Sequence, residues 1–174
     1  MAKTKNITRT GACAVLLCGL VMLGGCAKKE DKVVIKKENK IVAELSELQG
    51  KKTAALDSGK EDIAIGALEQ IVNKFPDHDG ITNNRLELAD LYMKNGQHAL
   101  AYRLYRSHTK MHPTDPQAEY AKYQAICAKY YQTLKISREC DATDTEKTIK
   151  LCRSYLNDTA LAGYRDDTSK ILTA

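Results

Sequence analysis

Few residues in the chain have the types and spacing that chemistry needs. His108 and His112 stand four apart. On a helix both imidazoles share one face, a spacing that holds a metal ion when a third ligand is near. No third ligand lies close by in sequence, and His108 falls at a packing position, so no metal site is assigned. No local motif supports a Ser-His-Asp or Cys-His nucleophile. No Gly-rich phosphate loop follows a strand, because no strands are expected. The adjacent acids Glu61-Asp62 and Asp166-Asp167 read as helix-terminus or surface charges. No catalytic residue and no cofactor is assigned, and the chain is expected to act by binding rather than catalysis.

The cysteines separate into three groups. Cys13 and Cys18 lie in an apolar run of twelve, residues 12–23, behind the basic residues Lys3, Lys5 and Arg9. That run is shorter than the ~20 residues a membrane-spanning helix needs, and its length suits a signal-peptide core. Next comes Leu23-Gly24-Gly25-Cys26, which resembles the bacterial lipobox. The resemblance implies cleavage before Cys26 and acylation of Cys26. Each buried CH₂ contributes about 0.8 kcal/mol, so more than one acyl chain anchors firmly. Ala27, in place of Asp, points to the outer membrane rather than retention at the inner one. Cys127, Cys140 and Cys152 remain in an oxidising compartment. If the helices around 127 and 152 pack antiparallel, Cys127 comes near Cys152, with Cys140 as the spare. A Cys127–Cys152 bridge and two buried thiols are both open readings.

Removing residues 1–25 changes the charge. The 174-residue chain has 27 Lys+Arg against 22 Asp+Glu, and the remainder has 24 against 22. A nucleic-acid partner therefore loses its main support. Residues 26–40 read as a lipidated, charged tether, a hydrated spacer with six Lys against three acids. Residues 41–174 are close to neutral.

That body predicts an all-α fold. It has no Trp, one Phe and three Pro, and helix formers abound. Helices are predicted over 83–95, 97–111 and 61–75, the last closed by Pro76, with turns at Gly59 and Gly96. A further helix opens near Pro116, and the last runs from Thr159 to about Leu172. Pro76 and Pro113 lie 37 apart, as do Ala64 and Ala101, and Leu68 and Tyr105. A helix pair with this period, closed by Pro, is the tetratricopeptide (TPR) signature. An α-solenoid of about three helix pairs is expected over 41–174. In the second pair's register Asn83, Leu86, Asp90 and Met93 fall off the packing stripe and form a candidate peptide groove.

Two stretches then carry a resemblance to a family. Ala55-Leu56…Gly59…Ala64-Ile65…Leu68…Ile71…Phe75-Pro76 is one. The junction His112-Pro113-Thr114-Asp115-Pro116, followed by Tyr120-Ala121-Lys122-Tyr123, is the more specific. With the lipobox, they resemble the BamD (ComL-type) lipoproteins of the outer-membrane β-barrel assembly machinery. The resemblance implies a lipid-anchored scaffold at the outer membrane, facing the periplasm. The resemblance also implies that it binds outer-membrane assembly proteins and unfolded barrel clients. Members usually carry five repeats. This chain runs to about three, so by the resemblance it is expected to lack the repeats that the family docks on the barrel subunit and to keep those that the family uses for clients. A TPR lipoprotein of a secretion or pilus complex is the alternative, and a lipoprotein enzyme with a site formed only in three dimensions is the rival from another class.

Overall fold

The computed structural model describes residues 27–136 and 142–174. The described residues form seven helices: α1 (Ala27–Asp57), α2 (Glu61–Lys74), α3 (Ile81–Lys94), α4 (His98–Met111), α5 (Ala118–Ile136), α6 (Ala142–Asn157) and α7 (Arg165–Thr173). No strand occurs among them. Lys40–Ala174 forms one compact unit. Residues 27–40, read from sequence as a hydrated spacer, are helical. Their Lys- and Glu-rich composition, with no Gly or Pro, favours that state.

The 37-residue period reappears in the backbone hydrogen bonds. Gly59 and Gly96 have φ of 68° and 71°, a left-handed conformation that glycine adopts without steric cost. At the first turn Lys60 N donates to Ala55 O at 2.8 Å and Gly59 N to Leu56 O at 3.0 Å. At the second, Gln97 N donates to Tyr92 O at 2.8 Å and Gly96 N to Met93 O at 3.1 Å. Both are Schellman closures, which satisfy the last helical carbonyls. The loops after the second helices match as well. Phe75 N bonds to Ile71 O, and His78 N to Phe75 O. The equivalents are His112 N to His108 O, and Asp115 N to His112 O. Pro76 and Pro113 therefore close equivalent hairpins.

Packing repeats with the same offset. Ala64 and Ala101 are fully buried where the paired helices cross, and Leu68 and Tyr105 occupy one core position. His108 takes the place of Ile71 and is correspondingly buried. Lys52 stands where the second pair has the fully buried Ala89. Its ammonium reaches Glu87 at 2.8 Å while its stem lies against the fold. One apolar core joins α1 through α5. A second, around Ile126, Cys152, Tyr155 and Leu161, joins α5 to α6 and α7.

The third pair departs from the period. α5 is 19 residues long against 14 for α3. The last helix begins at Arg165, not Thr159. The intervening chain is held by side chains instead. The Arg165 guanidinium donates to the carbonyls of Leu156, Asp158 and Leu161. Glu119 accepts from the Tyr155 hydroxyl at 2.8 Å and Gly163 N at 2.7 Å. Those two bonds hold the Glu119 carboxyl below its usual range. Tyr164 stacks on Tyr123 with ring centroids 4.4 Å apart.

Candidate functional site

A cleft of about 300 Å³ lies between α3 and α5, with Tyr105 of α4 behind it. Asp90, Met93 and Lys94 of α3 line one side, and Tyr120 and Gln124 of α5 the other. Asp90 is exposed, yet its Oδ1 accepts from the hydroxyls of both Tyr105 and Tyr120, the latter at 2.7 Å. Burial, then hydrogen bonding to this carboxylate, pushes Tyr120 up to about 12 and Tyr105 further still. Both phenols therefore stay protonated donors at neutral pH, and Asp90 is fixed in place. Met93 is half-buried, its side chain packed on the core. The cleft offers a fixed carboxylate and an apolar thioether, while the Lys94 ammonium at its edge is paired with Glu61 of α2. Those groups suit backbone and side chains of an extended polypeptide. They do not form an acid–base or nucleophile arrangement.

The predicted groove is partly assembled. Asp90 and Met93 line the cleft. Asn83 is exposed but lies outside its lining. Leu86 is a correction: it is 4% exposed and belongs to the core. α3 packs against both α2 and α4, so its buried arc is wider than the stripe of a helix with one neighbour. The rings of Tyr105 and Tyr120 pack edge to face between α4 and α5. Their hydroxyls also define the cleft. The signal in the sequence is a single acid, Asp90, among the groove positions.

Of the two readings open for Cys127 and Cys152, a bridge or two buried thiols, the structure has the thiols and no bridge. Both residues are buried free thiols. Burial raises the Cys127 thiol and pushes Cys152 up to about 11. The thiolate needed for exchange is therefore scarce. Cys152 packs in the α5–α6–α7 core, while Cys127 engages the Tyr123 hydroxyl. Cys26 and Cys140 lie outside the described residues.

His108 and His112 do share a face, with ring centroids 5.5 Å apart. Burial lowers the His108 pKa, opposed by Asp115, whose carboxylate is 3.8 Å from Nε2. No group of three His, Cys, Asp or Glu is placed to hold a metal among the described residues. None of the described helices is long and apolar enough to cross a membrane.

Equivalent hairpins stacked on one another, with a polypeptide-sized cleft between successive first helices, define a TPR-like helical-repeat protein. The chain belongs to the YfiO family of outer membrane lipoproteins, whose model matches residues 43–173, about three quarters of its length. No curated protein matches it.

Proposed function

We propose that this protein is a scaffold of the outer-membrane β-barrel assembly machinery, anchored through lipid on Cys26 and facing the periplasm. It binds segments of unfolded barrel clients or of partner subunits. It acts by binding and not by catalysis. Membership of the outer membrane lipoprotein family carries this reading. The α3–α5 cleft supplies the surface. An extended segment lying there meets Met93 through an apolar side chain and Asp90 through polar groups.

Two results are expected in cells. Cys26→Ser will release the protein from the membrane fraction, read by fractionation and immunoblot. A photo-crosslinker at position 93 of the anchored protein will yield adducts with barrel clients or assembly subunits. Retention of the Cys26→Ser protein in membranes overturns the anchor. Adducts confined to subunits of a secretion or pilus complex, or none at all, overturn the assignment to barrel assembly.

A further inference from the structure

A second recess lies on another side of the repeats, between α4 and α6 with α5 as its floor. Its volume is about 170 Å³. A cavity of ~150 Å³ lined by apolar side chains accepts a benzene-sized group, so this one suits a single large apolar side chain. Ala125, Ile126, Leu151 and Leu161 provide apolar walls. Tyr155 adds its ring, and its hydroxyl is committed to Glu119.

The rim carries two cations, Arg106 and Lys122, and one acid, Asp158. Lys122 is matched by Asp158 at 3.6 Å, which leaves Arg106. Arg106 is exposed on α4 and makes no ion pair among the described residues. Arg103 and Lys110 lie at i−3 and i+4 from it, also exposed and also without an ion pair among the described residues. Arg106 thus lines the recess, with Lys110 one turn on along α4, while Arg103 faces the neighbouring cleft between α2 and α4. That cleft, of about 460 Å³, opens over Leu88 and Tyr92. The acid there, Glu69, already accepts a hydrogen bond from the Tyr92 hydroxyl.

We propose that this recess is a docking site for an acidic, extended segment of another polypeptide. One apolar or aromatic side chain of the segment fills the space over Ala125 and Ile126. Its neighbouring carboxylates meet Arg106 and Lys110. Charge complementarity selects the occupant: a basic segment is repelled by these cations, and an apolar segment without acids leaves them unmatched. The site is separate from the Asp90–Met93 cleft and independent of which envelope complex the protein serves.

The test uses the full-length chain in mild detergent and a fluorescein-labelled peptide, Gly-Asp-Glu-Phe-Asp-Glu-Gly, read by anisotropy. Saturable binding that weakens with added salt is expected. Arg106→Glu is expected to weaken it by about tenfold or more. Ser154→Phe, an exposed position at the recess whose larger side chain blocks it, is expected to do the same. Peptides with Lys for the acids, or Gly for Phe, are expected to lose binding, which tests the recess without altering the protein. Met93→Ala is expected to leave the affinity unchanged, which separates this site from the α3–α5 cleft. Equal affinity of the wild type and Arg106→Glu, undiminished binding of the Gly peptide, or no binding at ~1 mM peptide overturns the proposal. Loss of affinity on Met93→Ala also overturns it, by assigning the peptide to the other cleft.

Discussion

Asp144→Ala will destabilise the fold by about 3 kcal/mol or more. Lys129 of α5 and Asp144 of α6 form an ion pair at 2.7 Å, with side chains only 7% and 12% exposed. The Lys129 ammonium also reaches Gln132 at 3.1 Å and sits 5.6 Å from the centroid of the Tyr102 ring. Neither contact supplies a compensating charge. Removing the carboxylate leaves a buried cation whose desolvation is no longer offset. For a domain of this size the loss lowers the melting temperature by roughly 6–12 °C, measurable by circular dichroism. Lys147 also reaches Asp144, at 3.3 Å, but it is 57% exposed, so Lys147→Ala is expected to change little. Replacing both buried partners, as Lys129→Met with Asp144→Leu, is expected to recover most of the loss, because no orphaned charge remains. If Asp144→Ala melts with the wild type, the pair does not contribute as described.

The pH dependence of that loss has a definite sign. The Lys129 hydrogen bond, followed by that of Lys147, holds the Asp144 pKa below its ordinary 3.8. A carboxylate lowered on folding contributes stability that is complete above its unfolded value and disappears as the pH falls through the folded value. The gap between wild type and Asp144→Ala is therefore expected to be full at neutral pH and to narrow only below about pH 4.

Tyr105→Ala will cost about 3–5 kcal/mol, and Tyr105→Phe only about 1 kcal/mol. Tyr105 is 1% exposed and belongs to the core shared by α1 through α5. Its ring meets that of Tyr120 edge to face at 6.3 Å. Truncation to Ala opens a cavity between neighbouring helices, where collapse would need whole elements to shift. Phe keeps the ring and removes only the hydroxyl bonded to Asp90, an exposed carboxylate still served by Tyr120. Urea titrations of the two variants check the split. Equal losses would mean that the hydroxyl, not the ring, matters at this position.

The fold was largely legible from the sequence because the repeat is written in side chains with single physical roles. Gly59 and Gly96 mark left-handed closures, Pro76 and Pro113 end helices, and Ala64 and Ala101 permit close crossings. Each reports on its own backbone. The candidate site was legible only in part. Leu86 looked free because periodicity locates a stripe, whereas α3 is covered from two sides. Asp90 and Met93 were found from register, but the hydroxyls that fix Asp90 come from 15 and 30 residues away. The Lys129–Asp144 pair spans the segment where the period is broken, so no offset pointed to it. The late start of α7 depends on the Arg165 guanidinium satisfying three carbonyls, a contact that helical propensity does not encode.

The matching closures at either end of residues 81–117 make that stretch a cassette. Its incoming and outgoing junctions share the same hydrogen-bond grammar. A tandem copy spliced in after position 117 would meet a neighbour shaped like its own, and would present another carboxylate and thioether in the places of Asp90 and Met93. Length in such an architecture is an adjustable ruler, because whole modules set how far the array extends.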